Sequence, residues 1–186
     1  MNISGHHLQR GNLTAPVKAC MDAYRIPAGS LELEITETAM MRNLDVVLPQ
    51  LNALKQLGVV LSIDDFGTGY SSLAYLKRLP IDILKIDRTF VGELEASRDS
   101  AALVAAIVAM GHGLRLDVVA EGVETQVQMQ RLADRGCRFM QGYMFSRPVP
   151  PDRFAQLLDS ASQPDWCATF SQGVPRGAVV AEGNRW

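Results

Sequence analysis

The chain has little that would tie it to an oxidising compartment, a membrane or a nucleic acid. Its three cysteines, Cys20, Cys137 and Cys167, are odd in number and widely spaced. Neither a disulfide framework nor a close-set thiolate metal site is readable, so reduced cytosolic thiols are expected. In that setting the sequons at Asn2 and Asn12 carry no glycan meaning. No basic stretch leads into an apolar core near Met1, so no secretory signal is expected. The longest apolar run, Ala101 to Met110, falls short of the about 20 helical residues that a bilayer crossing needs. Neither charge sign dominates: 18 Lys plus Arg stand against 20 Asp plus Glu, a net of -2. That balance provides no basic footprint for DNA. His6, His7 and His112 form no ligand-like spacing. What remains is ordinary globular material, with 47% hydrophobic and 20% charged residues in a length suited to one domain. A soluble, cytoplasmic domain is the expectation.

Short strand-type apolar runs alternate with helical patterns. The runs are Met1 to Ser4, Leu31 to Thr36, Val59 to Asp64, Ile83 to Asp87, Asp117 to Ala120 and Phe139 to Met144. Between them lies helix punctuation. Thr125 with Gln128 reads as a capping box, closed at Gly136. Ser97 to Ser100 supplies caps for an apolar helix Ala101 to Met110, with Gly111 and Gly113 as its end. A further helix starts near Asn43 and stops at Gly58, with Pro49 either in its first turn or kinking it. Repeated strand–helix units imply a parallel α/β sheet, open or closed. After Leu158 the pattern ends, and a loosely ordered tail is expected, with Trp166 or Phe170 docked on the domain.

Polar residues fall at the ends of these strands. Glu32 and Glu34 share one face of their run, and Lys85 and Asp87 share one face of theirs. Asp64 and Asp65 end a third run, Glu121 and Glu124 follow a fourth, and Gln141 lies in the last. A lone strand-end Glu is usually a cap or a solvated residue. Lys85 and Asp87 could form a simple ion pair, and Glu124 could serve only the positive start of the next helix. Several carboxylates at one end of a sheet are harder to explain that way. The C-terminal ends of parallel strands are where active sites sit, and clustered carboxylates are tolerated mainly with cations between them. Hard oxygen donors without His or Cys favour magnesium or manganese over zinc. Two such ions suit phosphoryl chemistry. Gly67, Thr68 and Gly69, directly after the Asp pair, form a mobile loop suited to a lid.

The residues resemble a known family, the EAL-type cyclic di-GMP phosphodiesterases of bacterial signalling. The matches are Asn2-Ile3-Ser4, Glu34-Ile35-Thr36-Glu37, DDFGTGYSSL from Asp64 to Leu73, Leu84-Lys85-Ile86-Asp87, Ala120-Glu121-Gly122-Val123-Glu124 and Gln141-Gly142-Tyr143, in the family's order. The resemblance implies a (β/α)8-type, TIM-like barrel that opens cyclic di-GMP to linear pGpG with two divalent ions, Mg2+ or Mn2+. It implies Asn2, Glu34, Asp64, Asp65 and Glu121 as metal ligands, with Asp64 bridging. It implies Lys85 as the residue that orients or helps activate the attacking water, and Glu37 as the holder of the Gly67–Thr68–Gly69 loop. Asp87 and Gln141 would support and line the site, with Glu124 beside them. The family's Glu-Ala-Leu signature, whose glutamate is a metal ligand upstream of Asn2, is absent from this sequence. About 250 residues is typical of such barrels. The expectation is therefore a barrel truncated at its N-terminus to roughly its last six units over residues 1–158, an irregular tail over 159–186, and little or no hydrolysis by this chain alone. An upstream sensory or regulatory domain and a homodimer are family-level expectations.

Two other readings compete. One is a non-catalytic cyclic di-GMP receptor or interaction module. The other is a barrel that uses metals and Lys85 to abstract a proton next to a carboxylate, which the adjacent Asp64 and Asp65 and the Gly-rich loop fit poorly.

Overall fold

The computed structural model describes residues 1–9, 13–41, 44–69 and 73–161. Asn43, Tyr70, Ser71, Ser72, Trp166 and Phe170 lie outside that set, as does Cys167.

Among the described residues six strands form one wholly parallel sheet in sequential order: β1 (Asn2–Ile3), β2 (Glu32–Thr36), β3 (Val60–Phe66), β4 (Ile83–Ile86), β5 (Asp117–Ala120) and β6 (Phe139–Met140). Helices connect them: α1 (Gly5–Gln9), α2 (Thr14–Tyr24), α3 (Glu37–Met41), α4 (Leu44–Gln56), α5 (Leu73–Leu76), α6 (Arg88–Gly92), α7 (Arg98–Leu114), α8 (Gln126–Asp134) and α9 (Pro151–Ala161). This is the α/β architecture read from the sequence, six consecutive strand–helix units of the (β/α)-barrel kind. No helix among the described residues is long and apolar enough to cross a membrane.

Period-two alternation sorts the sheet into two unlike faces. Leu33, Ile35, Leu61, Ile63, Leu84, Ile86 and Ala120 are fully buried in one continuous apolar core with Val104, Val108 and Leu132. Each Leu, Ile or Val among them contributes about 1.5–3 kcal/mol by leaving water. The alternate residues, Glu34, Ser62, Asp64 and Lys85, take the other face. Register fixes the rows there: Asn2 stands beside Glu34, Glu34 beside Ser62, and Ser62 beside Ile83.

Local chemistry sets the element ends, with some departures from the sequence reading. Thr125 and Gln128 form the expected capping box, and Ser97 caps α7 by accepting from Ser100 N–H. But α7 runs through Gly111 and Gly113 to Leu114 and ends on Arg115 in the left-handed region, φ 62°. A Cβ at Gly111 would lie 2.3 Å from Val118 Cγ2, so this glycine lets helix and strand approach rather than stopping the helix. Pro49 lies inside α4, beyond its first turn, where it cannot donate to the Asp45 carbonyl. The last strand is only Phe139–Met140, because a turn begins at Gly142. Residues 159–161, expected to be irregular, complete α9.

Candidate functional site

At the C-terminal ends of β2 to β5 one ammonium sits among three carboxylates. Lys85 Nζ lies 2.6 Å from Glu121 Oε1, 3.0 Å from Glu34 Oε1 and 3.8 Å from Asp64 Oδ1. Lys85 keeps only 6% of its surface exposed, and its flanking residues Leu84 and Ile86 anchor the strand in the apolar core. The backbone N–H of Glu121 donates to the Ile86 carbonyl at 3.2 Å, which continues the β4–β5 pairing to the residue that carries this carboxylate. Gly122 then turns the chain at φ +70°, packed so closely on Arg88 that a Cβ would lie 2.6 Å from that side chain.

The adjacent aspartates are held by a break in the sheet. Register shifts between Ile63 and Phe66, and Asp65 adopts φ 54°. Such a bulge re-aims a side chain that regular pleating would send to the opposite face. Asp65 N–H donates to Asp64 Oδ1 at 3.0 Å, and the Asp65 carboxyl shares a hydrogen bond with Asp87. Asp87, read from the sequence as a strand partner of Lys85, lies just beyond β4 and caps α6 instead, accepting from Thr89 N–H at 2.8 Å.

Glu37, 2% exposed at the start of α3, accepts from Gly67 N–H at 3.0 Å. A Cβ at Gly69 would come 2.6 Å from Glu37 Oε1. The carboxylate thus ties the loop leaving Asp65 back to β2's end. Thr68 closes the same turn by donating Oγ1–H to the Asp65 carbonyl at 2.8 Å, with its own side chain exposed.

Burial and charge act together on these groups. Burial works against the Lys85 ammonium, yet hydrogen bonds to Glu121 and Glu34 outweigh it and hold the group above its usual value. Burial raises Glu121, opposed by Lys85 and reinforced by Asp64 and Glu34. Burial also raises Asp65, aided by the Asp64 charge and the hydrogen bond to Asp87. For Asp87, burial is outweighed by hydrogen bonds from Thr89 and Asp65, and the carboxyl is lowered.

Not every candidate joins this cluster. Asn2 is exposed and stands in the same row as Glu34. Gln141 lies just past β6 rather than in it and is exposed, its backbone pairing with Ala120 and Val123. Glu124 is exposed, and its N–H donates to Gln128 Oε1 within the cap of α8. Among the described residues no three His, Cys, Asp or Glu side chains stand as a ready metal cage. Instead Lys85 sits among three of the carboxylates read as ligands. Gly5, His6, Gln9, Thr36, Thr38 and Ala39, from α1, β2 and α3, line a cavity of about 300 Å³. Sequence reasoning missed Ser62, which is fully buried on the cluster's face. Counting two residues back from Asp64 would have found it.

The model of the EAL domain matches residues 1–148 of this chain. The chain is 49% identical over 158 residues to the cyclic di-GMP phosphodiesterase NbdA of Pseudomonas aeruginosa, covering 85% of this chain and 20% of that protein. Among solved structures, PaMucR phosphodiesterase in complex with c-di-GMP is 46% identical with a TM-score of 0.80, over 82% of this chain and 62% of that one. The manganese/cy-diGMP complex of Klebsiella pneumoniae BlrP1 is 36% identical with a TM-score of 0.73, over 80% of this chain and 38% of that one. The chain thus spans about a fifth of the length of the curated relative NbdA.

Proposed function

The chain belongs to the EAL domain family, and from that membership we propose that it provides the later strand–helix units of a cyclic di-GMP phosphodiesterase. The observation that carries this reading is the convergence of Glu34, Asp64 and Glu121 on the Lys85 ammonium at one end of a parallel sheet. The naming of NbdA as such an enzyme and the c-di-GMP complex of PaMucR support it.

Two divalent ions, magnesium or manganese, are part of the reading. The donor chemistry fits them, because carboxylates gathered around a positive charge are hard ligands suited to a hard cation. Asn2, Glu34, Asp64, Asp65 and Glu121 would hold them, and the manganese complex of BlrP1 supports metal use. When bound, the ions supply neutralisation of phosphate charge and acidification of the attacking water.

The chain's own residues do the rest. Water attacks phosphorus in line, the P–O3′ bond breaks, and O3′ takes up a proton, giving linear pGpG. Lys85 acts here as a charged donor rather than a base, since its hydrogen bonds to Glu121 and Glu34 keep it protonated. Its positive charge helps activate the water while a carboxylate receives the water's proton. Glu37 holds the Gly67–Gly69 loop over the site through Gly67 N–H.

A non-catalytic cyclic di-GMP receptor is the second reading, favoured by one feature: Lys85 already engages Glu34 and Glu121 within 3.0 Å. A homodimer, a regulatory domain in the parent protein and a cytoplasmic setting complete the proposal. The purified chain is incubated with cyclic di-GMP and Mg2+ or Mn2+, and products are resolved by chromatography. Metal-dependent appearance of pGpG supports the enzyme. A ligand-raised melting transition without product supports the receptor, and neither response rejects both.

A further inference from the structure

The sheet face that carries the carboxylates also carries a hydroxyl with nothing to bond. Ser62 is 0% exposed, and its Oγ has no hydrogen-bond partner among the described residues. Its register neighbours are Glu34 on β2 and Ile83 on β4. It therefore shares a face with Glu34, with Asp64 two residues along its own strand, and with Lys85 two residues beyond Ile83. Gln50, the other buried side chain with an orphaned atom among the described residues, still donates through Nε2 to the Val46 and Leu8 carbonyls. Ser62 has no second polar atom to anchor it.

The Lys85 ammonium, on the same face of the sheet, is also incompletely bonded. Lysine carries three N–H donors. Two of those on Lys85 reach Glu121 Oε1 at 2.6 Å and Glu34 Oε1 at 3.0 Å, while Asp64 Oδ1 at 3.8 Å is beyond hydrogen-bond distance. One buried donor and one buried hydroxyl on the same face thus lack partners. A buried water needs two to four polar partners, and Ser62 Oγ, Lys85 Nζ and a carboxylate oxygen of Glu34 or Asp64 supply them.

We propose that Ser62 holds a buried water that bridges its hydroxyl to the third N–H of Lys85, making Ser62 a positioning residue for that ammonium. The water site stands on the orphaned Ser62 hydroxyl and the remaining N–H of Lys85. Its consequence for turnover, an ammonium held in place to act on the attacking water by its charge, rests on the phosphodiesterase reading.

A double-mutant cycle tests it by denaturant unfolding in EDTA, with wild type, Ser62→Ala, Lys85→Met and the double variant. Ser62→Ala lowers the folding equilibrium constant by about tenfold, and the loss vanishes in the Lys85→Met background. An unchanged or raised constant in Ser62→Ala, or an equal loss in both backgrounds, overturns the proposal. Because Lys85→Met could fail to fold, a second measurement uses Ser62→Ala alone. Lysine-selective 1H–15N spectra follow the Lys85 ammonium, whose hydrogens exchange faster once Ser62 loses its hydroxyl, and unaltered exchange overturns the bridge. Neither readout involves turnover. A chain that behaves as expected here yet never cleaves cyclic di-GMP would reject the enzymatic reading and leave the water site standing.

Discussion

Glu121 Oε1 lies 2.6 Å from Lys85 Nζ, and Glu121, which directly follows β5, is joined to β4 by the bond from its N–H to the Ile86 carbonyl. The pairing is set by backbone register, so the charge arrangement is built into the sheet rather than into a loose loop. Lys85 also serves Glu34, so one ammonium offsets the repulsion of several carboxylates.

Lys85→Met removes that offset. Breaking a fully buried ion pair costs about 3–5 kcal/mol. Here Glu34 and Glu121 keep 21% and 22% of their side chains exposed, so a smaller loss, about 2 kcal/mol, is expected after solvent screening. Denaturant unfolding in EDTA measures it. Adding Mn2+ should recover more stability in the variant than in wild type, because the carboxylates lacking their ammonium gain most from a cation. Equal recovery in both proteins would count against a cation site among these side chains.

Glu37 and the Gly-rich loop give a second expectation. Glu37→Ala leaves Gly67 N–H without its acceptor, at a cost of about 1–3 kcal/mol. Hydrogen exchange should then quicken at Gly67 while the amides of β4 stay protected. Gly69→Ala should act on the same contact from the other side, since the new Cβ would sit 2.6 Å from Glu37 Oε1. If exchange at Gly67 is unmoved by either change, Glu37 does not hold the loop.

The strands and the convergent carboxylates were legible because period-two alternation places Glu34, Asp64 and Lys85 on one face in a way that needs no tertiary knowledge. The capping box at Thr125 and Gln128 was legible for a similar reason, being written within four residues. Less local features were hidden. The bulge that turns Asp65 to φ 54° depends on β4 pairing out of step with β3. Asp87 reads as a strand residue until α6 is seen to start on it. Gly111 reads as a helix stop because nothing in the sequence says that Val118 will press against it.

Those two glycines of α7 make a matched pair for testing. Gly113 has open space around it, no atom lying within 4 Å of a built Cβ. Gly113→Ala should stabilise by about 0.5–1 kcal/mol through helix propensity. Gly111→Ala gains the same propensity but places its Cβ 2.3 Å from Val118 Cγ2, and overpacking of that kind costs about 1–3 kcal/mol. The two variants should therefore melt on opposite sides of wild type. Both rising would mean that β5 yields to the helix and that the contact with Val118 is not fixed.

Cys137 provides the pH test. It is 1% exposed, and burial pushes its thiol up to about 11 from the ordinary 9.0, only partly opposed by backbone hydrogen bonds at Ala120 and Phe139. Below pH 9 the thiol is neutral in folded and unfolded chains alike and contributes no pH dependence. Between about 9 and 11 the unfolded thiol ionises while the folded one keeps its proton, so the unfolded state binds fewer protons and stability falls as pH rises. At about 1.4 kcal/mol per unit of difference, the total loss approaches about 3 kcal/mol. Lysines and tyrosines titrate over the same range, so the quantity to measure is the difference between wild type and Cys137→Ala at each pH. That difference should be flat below pH 9 and then shift against wild type up to pH 11. A parallel fall in both proteins would mean that the thiol ionises as readily inside the fold as outside it.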